Sequence, residues 1–138
     1  MQKRNVVFVS MAALVIAIGT WASAQEPVVV EGSKITNLVK IDLTGVPNKQ
    51  VIANIYDVPA GATVPRHFHH GDEFHLVLSG ELAAEVEGKP EHSLKDGDSQ
   101  YVEREHWHGG KVVGITPMKL LGLMIVDKDK PITEIIGR

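Results

Sequence analysis

Between Gly61 and Gly80 the chain carries GATVPRHFHHGDEFHLVLSG, which sets His67 and His69 one residue apart and Glu73 four residues after the second. On an extended strand side chains alternate between faces, so these two imidazoles point the same way, about 6.5 to 7 Å apart along the backbone. That separation lets both lean onto one ion. His70, Gly71 and Asp72 have the composition of a tight turn, and Phe74, Leu76, Val77 and Leu78 that of a returning strand. The two strands would form a hairpin in which Glu73 faces the histidine pair. His108, in the histidine-rich segment Glu105 to Gly110, is the candidate for a fourth ligand. Three imidazoles and a carboxylate suit one divalent transition ion, whether iron, manganese, nickel, copper or zinc. The duller account of the same four residues is a set of hydrogen-bonded histidines that hold no metal.

His75 shares its strand face with Glu73 by alternation, while Phe74, Leu76 and Leu78 face the other way. It is the candidate catalytic residue, because an imidazole titrates near neutrality and can carry a proton. Its alternative role is to hydrogen-bond Glu73 and hold it in place. His106 has the parity of His108 and is expected at the mouth of the site, as a substrate contact or an alternative ligand. Tyr101 is a second candidate for substrate contact, with its facing left open. His70 is expected in a solvated turn, His92 has no assigned role, and Trp107 is expected to pack between sheets. Glu103, Arg104 and Glu105 form a charged rim.

The elements that must position these residues are short and β-rich. Val28–Val30, Ile35–Leu43, Val51–Val58, the two strands around His70, Leu82–Val86, His92–Leu94, Asp98–Val102, Trp107–Val113 and Lys119–Val126 all have strand composition. Turn signals such as Gly45–Asn48, Pro59–Gly61 and Gly88–Pro90 separate them. Roughly nine or ten strands at this spacing make an all-β sandwich or barrel.

The spaced residues Gly61, His67, His69, Glu73 and Gly80 resemble the first motif of the cupin superfamily at every position. Gly97 and His108 match the second motif. Glu103 stands there in place of a proline, Glu105 in place of a glycine and Val112 in place of an asparagine. The resemblance implies a single-domain jelly-roll barrel (a double-stranded β-helix) over residues 25–138, with His67, His69, Glu73 and His108 as its metal ligands. It also implies a homodimer, for which Val28–Val30 is a plausible edge strand. Two acids near His108 make the approach to the metal more acidic than in the family pattern. If the replaced glycine supplied a positive φ, glutamate adopts it at a cost.

Residues 1–24 have the plan of a secretory signal peptide. Lys3 and Arg4 precede an apolar stretch from Val6 to Ile18, and Ala22, Ser23 and Ala24 form a small-residue cleavage site. Thirteen residues fall short of the roughly 20 that span a bilayer, which argues against a stable membrane anchor. Cleavage near Ala24 would release a periplasmic or secreted chain of 114 residues with no cysteine to cross-link it. That chain has 12 Lys and Arg against 17 Asp and Glu, a formal charge of −5, which excludes the basic footprint nucleic acid requires.

Together these features point to an exported metal-dependent protein acting on a small organic molecule. One reading is dioxygenase-type oxidation; another is Lewis-acid isomerase or lyase chemistry. The alternative from a different class is a module that binds a sugar-like molecule or a metal without turnover. One architecture hosts all three.

Overall fold

The computed structural model describes residues 30–137, and every regular element among them is a β-strand. The strands are β1 (Lys34–Asp42), β2 (Lys49–Val58), β3 (Thr63–Phe68), β4 (Gly71–Ser79), β5 (Leu82–Val86), β6 (His92–Leu94), β7 (Ser99–Val102), β8 (His108–Val112), β9 (Met118–Asp127) and β10 (Glu134–Ile135). They form two antiparallel five-stranded sheets, β1-β2-β9-β4-β7 and β10-β3-β8-β5-β6. The expected jelly-roll architecture is what is found. The signal-peptide reading of residues 1–24, and Val28 and Val29 of the expected edge strand, lie outside the described residues. Val30 packs half-buried against the core. Among the described residues no helix is long and apolar enough to cross a membrane.

One sequence expectation is corrected by the pairing. β3 and β4 are not a hairpin, because β3 pairs with β8 and β10 while β4 pairs with β7 and β9. The residues between them carry the chain from one sheet to the other. Alternation specifies which face a side chain takes but not which strand lies alongside, so the motif histidines and Glu73 meet across the interior.

The register sorts the inner face of the first sheet into layers. Ile52, Met124 and Val126 form one apolar cluster, while Val58, Val77, Met118 and Leu120 meet Leu82 and Val112 of the second sheet in a larger one. Burying each such side chain contributes about 1.5–3 kcal/mol. Between the clusters runs a polar row, Asn37–Asn54–Gly122–His75–Gln100, in register across all five strands. That row and the neighbouring Glu73 are where the interior departs from hydrocarbon.

The loop before β8 is tied to the end of β9 through Asp127, which accepts hydrogen bonds from Arg104 and Lys49. The Arg104 guanidinium, and then Lys49, hold the Asp127 carboxyl well below its ordinary range. A carboxylate depressed in the fold contributes stability above its unfolded pKa near 4 and loses it as pH falls through the folded value. Arg104 is 38% exposed, so solvent screening keeps the contribution near 1 kcal/mol. Asp127→Asn is therefore expected to lower the melting temperature by about 4 °C at pH 7. In thermal scans across pH the gap between the two proteins should be full above about pH 5 and close at acid pH. A gap that widens on acidification would contradict this assignment.

Candidate metal centre

The pairing of β3 with β8 sets His67 directly opposite His108, so residues far apart in sequence become cross-strand neighbours with ring centroids 4.2 Å apart. His69, just past the end of β3, brings its ring to 5.0 Å from His67 and 5.2 Å from His108. Glu73 reaches the same point from β4 in the other sheet. Its Oε2 stands 3.2 Å from His69 Nε2 and 2.9 Å from His108 Nε2. All four side chains are buried.

Backbone carbonyls orient the rings. His67 Nδ1 donates to Pro65 O at 2.8 Å, His69 Nδ1 to Ile132 O at 2.7 Å and His108 Nδ1 to His106 O at 3.3 Å. With Nδ1 so engaged, Nε2 is the nitrogen each ring has left for a ligand. Burial, with His108 and His69 alongside, pushes the His67 pKa down to about 3, so this imidazole is neutral. For His69 burial opposes the charged form, but the Glu73 carboxylate outweighs it and the pKa is raised. Burial likewise opposes the Glu73 charge and is outweighed by His75 and His69, which hold that carboxyl well below its ordinary range.

A buried carboxylate that stays ionised needs a positive partner. Glu73 Oε2 and His108 Nε2 nevertheless have no hydrogen-bond partner, although they are 2.9 Å apart. Two buried polar atoms so close, with neither satisfied by the chain, are open to a shared ligand. Two sets of donor atoms lie mutually within 4.8 Å, His67/His69/His108 and Glu73/His75/His108, and His108 belongs to both. Imidazole nitrogens converging with a carboxylate oxygen are the donor set of a divalent transition ion. The residues fit such an ion.

His75 lies where alternation put it, buried beside Glu73 with its Nε2 3.0 Å from Oε2, and its Nδ1 has no hydrogen-bond partner. It lines a cavity of about 70 Å³ together with the four ligand candidates. A single water occupies roughly 10–15 Å³ on this measure, so the space suits a ligand of a few non-hydrogen atoms. Val58, Val64, Leu82, Met118 and Leu120 make its apolar walls, and Tyr56, Gln100 and Thr133 add polar groups.

Tyr56 and Gln100 were not singled out from the sequence, where they resemble ordinary strand residues. Asn37 Nδ2 donates to Asn54 Oδ1 at 2.9 Å, and Asn54 Nδ2 donates to the Tyr56 hydroxyl at 3.1 Å. The phenol accepts there and keeps its own proton for another acceptor. Burial, then the Glu73 charge, pushes its pKa up to about 12. Gly122 makes this possible, since a Cβ there would meet the Tyr56 ring at 2.8 Å. The segment Ile132–Thr133, which braces His69, also carried no signal in the sequence.

Other expectations shift. Tyr101 does not reach the cavity; it lies 41% exposed on the outer face, stacked on Phe74 and donating to Asp72 Oδ1 at 2.8 Å. His106 is 44% exposed with its Nδ1 donating to Arg104 O, and it does not line the cavity. Trp107 is half-buried beneath the Arg66 guanidinium, 4.5 Å from its ring centre, rather than between the sheets. His70 is largely buried and faces Glu105 at 3.2 Å and Glu134 at 2.6 Å, because the crossing between sheets brings β10 over it. His92 faces Gln100 Oε1 at 2.7 Å, behind the cavity wall. Glu103 and Glu105 are 66% and 54% exposed, so their charge sits on the outer rim and Arg104 lies beside it. Glu105 has φ 61°, the glycine-like conformation its motif position requires, at a cost of about 1 kcal/mol for a residue with a side chain. Val112 is fully buried in the larger apolar cluster.

Residues 54–126 match the cupin domain family model, a stretch that contains both spaced motifs and more than half of the chain. The chain belongs to the cupin family. Among solved structures, this cupin is similar to an uncharacterised conserved protein with a double-stranded β-helix domain from Klebsiella pneumoniae, at 17% identity over 83% of this chain and 92% of that one, TM-score 0.63. It is similar to the DMSP lyase DddQ from Ruegeria pomeroyi at 23% identity, over 82% and 61% of the two chains, TM-score 0.61. It is also similar to an oxalate oxidase in complex with the substrate analogue glycolate, at 23% identity over 76% and 55%, TM-score 0.59. At such identities the likeness establishes the fold alone. No curated protein matches the sequence.

Proposed function

We propose that this cupin is an exported metal-dependent enzyme that moves a proton on a small, oxygen-bearing organic molecule, in isomerase- or lyase-type chemistry. The observation that carries the reading is His75, a buried imidazole with an unpartnered Nδ1 in the wall of a small cavity, beside the ligand candidates. His67, His69, Glu73 and His108 would hold one divalent transition ion. Such an ion supplies a Lewis acid for a carbonyl or carboxylate oxygen and, if redox-active, one-electron chemistry with dioxygen.

The rest belongs to the chain's own groups. The Glu73 carboxylate stands 3.0 Å from His75 Nε2, and the other ring nitrogen, Nδ1, has no partner on the chain, so Nδ1 is the atom that would take up or give the proton. Tyr56, oriented by Asn54, is placed to donate its hydroxyl proton to a ligand oxygen. The apolar walls exclude bulk water and admit only a short carbon skeleton. Two structural neighbours, a DMSP lyase and an oxalate oxidase bound to glycolate, are named for small molecules, which agrees with that limit. Lys3, Arg4, the apolar stretch and Ala22–Ala24 support export.

A test is metal analysis by mass spectrometry on protein recovered after export through its own leader. About one transition ion per chain is expected, followed by turnover in a screen of small hydroxy and keto acids. Stoichiometric redox-active iron with oxygen-dependent turnover would move the assignment to dioxygenase-type oxidation. Stoichiometric metal with ligand binding but no turnover would leave a binding module. No metal even after reconstitution would end the metal-dependent reading.

A further inference from the structure

The cavity beside His75 has a polar end and an apolar end, and the strand register separates them. On the inner face of the first sheet the rows run from Glu73 to the pair His75–Gln100, then to Leu120, which pairs with Tyr56, and then to Met118, which pairs with Val58. Successive inward rows stand about 6.8 Å apart. Glu73, His75 and Gln100 line one end of the cavity, while Leu120, Met118 and Val58, joined by Leu82 of the second sheet and by Val30, line the other. The second group belongs to the larger apolar cluster or packs against it. A molecule lying along these rows has its oxygens at one end and hydrocarbon at the other.

Charge limits the ligand further. Among the described residues no lysine or arginine lines the cavity, and Glu73 is the only acid that does. Arg66 and Arg104 are held elsewhere, on Glu85 and Asp127. Glu73 offsets one of the two charges of the divalent ion it would hold with three neutral imidazoles, which leaves one positive charge to be matched. One carboxylate on the ligand matches it. A second would have to sit against Leu120 and Met118, 7% and 2% exposed, with no counter-charge. An unpaired charge buried there costs far more than a buried methyl group gains.

Gln100 completes the polar end. His92, from the second sheet, places its Nε2 2.7 Å from Gln100 Oε1, and a ring N–H there donates to that oxygen. With Oε1 engaged, the amide nitrogen is the half of the side chain left for a ligand, and it can only donate. It suits a carboxylate or carbonyl oxygen. We propose, resting on the metal-dependent reading above, that the substrate is an aliphatic monocarboxylate with oxygen on the adjacent carbon. That is an α-keto or α-hydroxy acid with a short hydrocarbon tail, and Gln100 is the residue that reads its head. Tyr56 stands in the row between the two ends, where its hydroxyl meets the second oxygen. The tail then lies against Leu120, Met118 and Leu82.

Calorimetric titration of the metal-loaded protein compares α-ketovalerate with α-ketoglutarate, which carries a carboxylate in place of the terminal methyl, and with pyruvate, which lacks the tail. Binding of α-ketovalerate is expected to be at least about 100-fold tighter than that of α-ketoglutarate. It should be about 10-fold tighter than that of pyruvate, from the buried methylenes. Gln100→Leu should weaken α-ketovalerate about 10-fold at unchanged metal content, and keep the order of the three acids. If that variant fails to fold, Gln100→Glu gives the same test, since it keeps the shape beside His92 and replaces the donor by an acceptor. A loaded protein that takes α-ketoglutarate as tightly as α-ketovalerate, or takes neither, overturns the substrate class while the metal-dependent reading stands. Undiminished binding by the Gln100 variant overturns the role given to Gln100. Protein that holds no metal removes the reading itself, and the substrate class falls with it.

Discussion

His108→Ala is expected to strip the chain of its transition ion, weakening retention by well over ~100-fold, because removing a ligand costs more than disturbing the groups that orient one. His108 is the residue to change, since it alone belongs to both sets of converging donors. Losing His67 leaves Glu73, His75 and His108 together, and losing Glu73 leaves the three imidazoles. Losing His108 breaks both. The expected order of metal loss is therefore His108→Ala above His67→Ala, read by mass spectrometry after dialysis against a chelator. His106→Ala is the control: that ring is 44% exposed and outside the cavity, so the variant should keep one ion per chain. The metal-free fold would also respond, since His108 lies within 2.9 Å of the buried Glu73 carboxylate. Its loss leaves a small void and a less compensated charge, together worth about 1–3 kcal/mol. If His108→Ala retained a stoichiometric ion, the centre would have to lie elsewhere.

Much of this was legible in residue types and spacing, and the limits have physical causes. Leu82–Val86 and His92–Leu94 are bounded by turn residues and coincide with β5 and β6. The alternation of β4 put Glu73 and His75 inside and Phe74, Leu76 and Leu78 outside. Periodicity could not say that β3 joins the opposite sheet from β4, because pairing partners depend on the whole topology. The carbonyl of Ile132, which orients His69, comes from a segment with no pattern of its own. Tyr56 and Gln100 enter the cavity through cross-strand register with Leu120 and His75, a long-range property. Trp107 stayed outside because Arg66 covers its ring.

His75→Gln separates catalysis from binding. Glutamine keeps a polar side chain of similar reach beside Glu73 Oε2, which stands 3.0 Å from the imidazole Nε2, but its amide does not take up and release a proton. If His75 moves the proton, turnover should fall by about 10²- to 10⁴-fold, the usual contribution of a positioned acid or base. The ion should remain, because His67, His69 and His108 stay within reach of one another. The loss should appear in kcat with KM little changed, since a ligand of a few atoms is held by the ion, Tyr56 and the apolar walls. Removal of the ion along with activity would show that His75 is itself a ligand, a geometry available to it in the Glu73/His75/His108 set. Unchanged turnover with the ion in place would reduce His75 to holding Glu73, and would leave the Tyr56 hydroxyl as the nearest group on this chain able to carry the proton.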